Sequence, residues 1–324
     1  MACVMKRRFY RQFVAILTLG FVTKPLSAAD NSGTAAFSFL NIPVGARATA
    51  MGQAFTSVPN DVQGLAYNPA SLVTMAASQL SLQHLSYVEG VTQEAISYGH
   101  AARHEGFSWG MAANYLRVGG ITRTVATNLP TGDGFTEVGD FSTYDMSLGL
   151  SGAAPVTDDL FFGTTVKLLR ESLADASSTG GAVDLGVMFQ ANEERSWNVG
   201  AALQNLGVAS KFADAAVKLP WTARVGVSGQ PFAQWLLSTD FVKREDLKGE
   251  ADIGAEVTPR RFFSLRLGYR YQLTRPDLGG LSDFSAGIGF RWNTISFDYA
   301  FVPLGDLGFT NRISLNMRFR PHLD

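Results

Sequence analysis

The chain has 324 residues, 46% of them hydrophobic and 17% charged, with 33 glycines and a single cysteine. That balance excludes a disordered or collagen-like chain. No apolar run reaches the roughly 18 residues that a membrane-spanning helix needs.

Residues 1–29 read as a cleaved signal peptide. Lys6, Arg7, Arg8 and Arg11 give a basic start, Phe13–Val22 an apolar core, and Ser27 and Ala29 the small residues before cleavage. Cleavage after Ala29 removes five basic residues, no acid, and Cys3. The remainder carries 22 basic and 28 acidic residues, a net charge of −6. A nucleic-acid partner is disfavoured by that charge, and a disulfide or cysteine–zinc site by the lost cysteine.

Residues 30–77 are turn-rich. Gly45, Gly52 and Gly64 punctuate them, interspersed with Pro43, Pro59 and Pro69. A short helix fits Ala46–Phe55. Asn68 precedes Pro69, which biases it to extended backbone before a tight turn.

From residue 78 the pattern changes to strict alternation. Ile313, Leu315, Met317 and Phe319 are apolar, whereas Ser314, Asn316 and Arg318 are polar. Side chains alternate across a strand, so one face is greasy and one wet. About 14 such segments recur, longer than the roughly 5–6 residues of an ordinary strand. They span 78–86, 93–102, 106–118, 142–154, 160–171, 181–191, 196–206, 221–229, 234–244, 249–258, 262–274, 282–293, 295–303 and 310–320. Short connectors (103–106, 155–159, 192–196, 258–261, 293–294) alternate with longer ones (119–141, 172–180, 207–220, 274–281).

Lipid is the cover that fits the greasy face. Only a closed barrel satisfies every strand in a bilayer, and a tilted strand of about 9–11 residues crosses one. The expected fold is therefore all-β: a transmembrane, antiparallel, up-and-down barrel of about 14 strands over 78–320, with a tail at 321–324. Its wet face turns Arg224, Asp240, Asp252, Glu256, Arg266, Arg270, Arg291, Asp298 and Arg318 into the lumen. Trp109, Trp197, Trp221, Trp235 and Trp292 fall near strand ends, where interfacial girdles sit. An even strand count puts both barrel ends on the periplasmic side, with the short turns. Residues 30–77 are then expected to start at the periplasmic mouth and plug the lumen, with Arg47 or Asp61 paired to lumenal charges.

The stretch "GARATAMGQAF", followed by "YNPASL" before a large barrel, resembles the PorV/PorQ family within the FadL-like outer-membrane proteins. Gln53 and Tyr67 stand where relatives commonly carry glycine and tryptophan. The resemblance implies an N-terminal hatch with Gly45, Arg47, Met51, Gly52 and Asp61 and an Asn-Pro-Ala turn at Asn68, Pro69 and Ala70. It implies a non-enzymatic accessory function in protein secretion, with a channel for hydrophobic compounds as the alternative. PorV-like members handle cargo proteins in type IX secretion. FadL-like members pass long-chain fatty acids or aromatic hydrocarbons through a hatch-gated lumen and sideways into the membrane. Partners would be outer-membrane lipid with secretion proteins or hydrophobic small molecules. The first function predicts apolar side chains on the outer loops, at Leu129, Phe135, Phe212 and Val217. The second predicts a continuous apolar path and a break in strand pairing, with Gly149 and Gly163 as candidates.

No enzyme, cofactor or metal is expected. "GFSWG" around Ser108 has a nucleophile-elbow spacing but sits in an alternating strand. His100 and His104 have a helical metal spacing at a strand end and turn. Residues 131–140 lack a regular calcium-ligand spacing.

Overall fold

The computed structural model describes residues 36–102, 106–126, 134–174, 176–191, 196–210, 218–245, 249–273 and 281–319. The expected signal peptide and C-terminal tail lie outside these residues, as do His104, Leu129, Phe212 and Val217.

Fourteen strands form one closed antiparallel barrel. They are β1 (Gln79–Ser86), β2 (Thr92–His100), β3 (Ser108–Ala126), β4 (Phe135–Pro155), β5 (Leu160–Leu173), β6 (Ala176–Gln190), β7 (Trp197–Ala209), β8 (Thr222–Phe232), β9 (Trp235–Arg244), β10 (Glu250–Arg260), β11 (Phe263–Gln272), β12 (Phe284–Trp292), β13 (Ile295–Pro303) and β14 (Phe309–Arg318). Each pairs with its sequence neighbours. β14 closes on β1, with Arg318 opposite Gln79 and Ile313 opposite His84. No sheet edge is left open, as hydrocarbon requires.

The alternation sorts side chains as expected. Ile313 is 38% exposed and Ser314 is fully buried. Leu150, Val166, Leu168, Phe241, Leu267, Ile288 and Phe297 face outward, whereas Ser151, Thr165, Asp240, Arg266 and Asp298 are buried inside. This is a soluble protein turned inside out. Trp109, Trp197, Trp235 and Trp292 lie at the short-turn rim, while Trp221 lies at the other end.

Two expected outer loops are mostly strand. β3 and β4 continue past the barrel as a hairpin, pairing Ile121 with Phe141 and Val125 with Thr136 across register shifts. β5 and β6 stay paired to their ends, with Leu173 opposite Ala176. Both stretches looked like loops because their alternation is polar. A hairpin that projects beyond the barrel rim needs no apolar face, only a paired backbone.

Residues 36–77 fill the lumen. They carry a five-residue helix, α1 (Ala46–Ala50), and 3-10 turns at Ser38–Asn41, Val62–Ala66 and Pro69–Thr74. The expected helix over 46–55 stops early, because the chain turns at Gly52 and Gln53 with positive φ. α1 packs on β11–β14, residues 62–66 on β1 and β2, and residues 69–74 on β3–β6. The described part of this segment, from residue 36, begins away from the short-turn mouth. Phe37 and Phe39 pack with Leu116, Leu169, Ala182 and Leu219 towards the opposite end. The inward face is apolar at that level and gives the two rings a dry site. The segment reaches the short-turn end only at Asn60 and Thr74–Ala76, just before β1.

Candidate functional site

The lumenal contact between inner segment and wall is where the charged residues converge. Arg47, on α1, forms a fork with Glu256 of β10, Nε to Oε2 at 2.8 Å and Nη2 to Oε1 at 2.7 Å. Its Nη1 reaches Asp61 at 2.8 Å. Arg266 of β11 donates to the same Glu256 at 2.6 Å and to Asp298 at 2.7 Å. Asn316 closes the chain, donating to Asp298 at 2.7 Å and accepting from Gln63 at 3.1 Å. Burial opposes the charge on Arg47, but Glu256 and Asp61 outweigh it and hold its pKa above the ordinary arginine value. Of the two expected partners, Arg47 meets a wall charge in Glu256, whereas Asp61 pairs with Arg47 within the inner segment.

A second anchor is Asp240 of β9. Its carboxylate accepts from the backbone N–H of Phe55 and of Thr56, each at 2.9 Å, and from the Thr56 hydroxyl at 2.6 Å. Asn68 is the third. Its backbone is extended, at φ −156° and ψ 109°, and its side-chain oxygen accepts from Ala70 N–H at 3.1 Å. Its amide donates to Thr56 O and to Val187 O of β6, both at 2.9 Å. Tyr67 donates to Val44 O at 3.0 Å, beneath the Arg224 guanidinium, which lies 5.2 Å from its ring centre. Burial pushes the Tyr67 phenol up to about 12.

Close approach explains the wall glycines. A Cβ at Gly163 would stand 2.5 Å from Ala70 N, and one at Gly254 would stand 2.6 Å from Met51 O. Gly45 N–H donates to Gln83, and Gly52 N–H to Ser285 at 3.2 Å.

The remaining lumenal predictions divide. Arg224 and Arg270 flank Asp252 at 4.0 and 3.9 Å. Arg291 and Arg318 instead line a small pocket at the short-turn mouth. Charged lumenal residues that sequence reading missed include Lys167 and Asp184, paired at 2.6 Å, Arg244 and Glu250, paired at 2.7 Å, Arg312, which donates to Thr49, and Glu171, which accepts from Phe37 N–H at 2.6 Å. All share the inward phase of their strands, so the alternation alone held the signal.

The pairing break does not lie at Gly149 or Gly163. Gly149 stays opposite Lys167, and Gly163 opposite Ala153 and Gly186. The wall glycine was read as a weakened ladder, but its role at Gly163 is clearance for the Pro69–Ala70 backbone. A register shift sits instead in the β6–β7 ladder, between Val183 and Leu185. Asn205 bulges there at φ 60°. Its N–H donates to Asp184 at 2.8 Å, and its side-chain oxygen accepts from Lys167 at 2.8 Å. A cavity of about 100 Å³ adjoins this bulge. Leu40, Ile42 and Val44 line one side, and Ser151, Thr165, Lys167, Gln204 and Arg224 the other.

Residues 22–249 match the uncharacterised protein family UPF0164. The chain belongs to that family. No curated protein sequence matches it. Among solved structures, this UPF0164 chain is similar to the toluene transporter TodX of Pseudomonas putida. The two are 16% identical over 84% of this chain and 96% of that one, with a TM-score of 0.55. A FadL homologue of Pseudomonas aeruginosa is 13% identical over 90% and 99%, with a TM-score of 0.56. At such identities the likeness is one of fold: a 14-stranded barrel of the FadL-like outer-membrane type. The two enzyme-like motifs have structural settings. The Ser108 hydroxyl accepts from Ala102 N–H at 3.2 Å within the β2–β3 connection. His100 ends β2 and stacks on Trp109 at 5.6 Å.

Proposed function

We propose that this UPF0164 barrel resides in the outer membrane after signal-directed export. It serves there as a hatch-gated passage for hydrophobic small molecules, of the fatty-acid or aromatic-hydrocarbon class. The observation that carries this reading is the two-faced cavity beside the β6–β7 register shift. An apolar body would lie along Leu40, Ile42 and Val44, and a polar end would face Lys167 and Arg224. A ladder already short of a regular pair is the least costly place for the wall to part towards lipid. The described transport of toluene by TodX, on the same fold, adds support.

The test is a lock on the inner segment. Ala50 packs against Ala300 of β13, and the only native cysteine is Cys3. Cells carrying Ala50→Cys with Ala300→Cys should take up labelled long-chain fatty acid or toluene when reduced and stop when oxidised. Uptake that ignores the lock, or never exceeds that of cells without the protein, sinks the reading.

A PorV/PorQ-like accessory role in protein secretion is the second reading. Exposed apolar side chains on the projecting β3–β4 hairpin favour it: Val125, Phe135 and Val138 are each about half exposed. Native purification should then recover a secreted protein or secretion component, and deletion of the hairpin should lose it. Recovery of lipid alone would exclude this role.

A further inference from the structure

The short-turn mouth contains cations that the ion-pair chain leaves unanswered. Arg291, near the end of β12, and Arg318, at the end of β14, line one pocket of about 20 Å³ with Arg47, Arg266, Ser296 and Asn316. Three carboxylates belong to the ion-pair chain, Asp61 and Asp298 at the pocket and Glu256 behind it, and every oxygen of them already accepts a hydrogen bond. Asp61 takes Gln63 N–H at 2.9 Å and Arg47 at 2.8 Å. Glu256 takes Arg47 and Arg266. Asp298 takes Arg266 and Asn316. Among the described residues no ion pair reaches Arg291 or Arg318. Arg318 has only the carbonyl of Asn60, at 3.5 Å, a length at which a hydrogen bond is weak.

Four guanidiniums and two carboxylates, Asp61 and Asp298, thus line the pocket, and both carboxylates are already engaged by Arg47 and Arg266. Two like charges held side by side repel, and each guanidinium offers a planar fork of donors. That fork matches the oxygens of a carboxylate or a phosphate.

We propose that the short-turn mouth is an oxyanion site built on Arg291 and Arg318, taking a carboxylate or phosphate group. A bound oxyanion removes the surplus charge beside the Arg47–Asp61 pair and so tightens the inner segment against the wall. The site needs no assumption about what crosses the lumen.

The test uses the full protein in detergent micelles. Its unfolding temperature is followed against added phosphate or acetate, with ionic strength held constant by sodium chloride. The intact protein should show a saturable rise. Arg291→Gln and Arg318→Gln, checked for folding by heat-modifiable gel mobility, should weaken the apparent affinity at least tenfold. Arg170→Gln, on the exposed outer face, should leave it unchanged. A response to phosphate alone assigns a phosphate site, and a response to acetate assigns a carboxylate site. No rise beyond chloride, or the same rise in all three variants, overturns the proposal.

Discussion

Arg47 is the residue on which most of the lumenal chemistry turns. It is buried, and three of its nitrogens are committed to Glu256 and Asp61. Arg47→Met would strip Asp61 of its ion-pair partner and leave Glu256 to Arg266 alone in a desolvated site. The expected cost is about 3–5 kcal/mol, read as a lower unfolding temperature and faster proteolysis within residues 36–77. Tyr67 gives a prediction in pH. Its phenol ionises near 12 in the folded chain, against about 10 in an unfolded one. The raised value means that the folded state keeps its proton where the unfolded state has lost it. Its contribution is therefore intact below pH 10 and disappears as pH climbs from 10 to 12. Absorbance at 295 nm should show one late-titrating tyrosine, absent in Tyr67→Phe, whose loss of the bond to Val44 O costs about 1 kcal/mol. Composition could nominate Arg47 and Asp61 as lumenal partners, since a charge with no water must pair. It could not select Glu256 among the inward carboxylates, because that choice depends on which strand stands opposite α1.

At the scale of elements, the inner segment and the wall are fitted to each other by backbone proximity. Gly163→Val should wedge β5 away from Pro69–Ala70, at a cost of about 1–3 kcal/mol for overpacking. A protease-sensitive inner segment inside an intact barrel would be its signature, and a variant as stable as the parent would contradict the fit. The β3–β4 hairpin is the opposite case. Beyond Val118 it pairs only with itself, so deletion of 119–141 should leave the heat-dependent gel shift of the barrel untouched. Strand existence was readable from alternation in all fourteen cases. Strand length was not at Ala126, Phe135 and Ala176, where polar residues such as Thr122, Thr124 and Thr136 remain paired without any buried face. Inside the lumen, the signal for residues 36–77 was punctuation only. Glycine and proline marked the turns at Gly52 and Pro69, but not the direction of travel. That Phe37 sits towards the long-loop end follows from the apolar patch of Leu116 and Leu169, on strands far along the chain.

For the whole molecule, polarity is inverted relative to a water-soluble domain, and cysteine labelling reads that inversion directly. A thiol replacing Leu315 should react only with a membrane-partitioned reagent. One replacing Asn316 should resist both that reagent and a water-soluble one, because the inner segment covers it. The reverse pattern would remove the bilayer from the account. The sequence by itself determined the period of the strands, their number and the face each side chain takes, because these depend on neighbours two residues apart. It also made the lumen the expected place for residues 30–77, whose moderately apolar turns need a dry surface to meet. Only the tertiary structure decided which carboxylate holds Arg47, where the wall slips between β6 and β7, and which arginines are left over at the mouth. Those outcomes depend on closure of the barrel, which sets residues more than 200 positions apart within hydrogen-bonding distance.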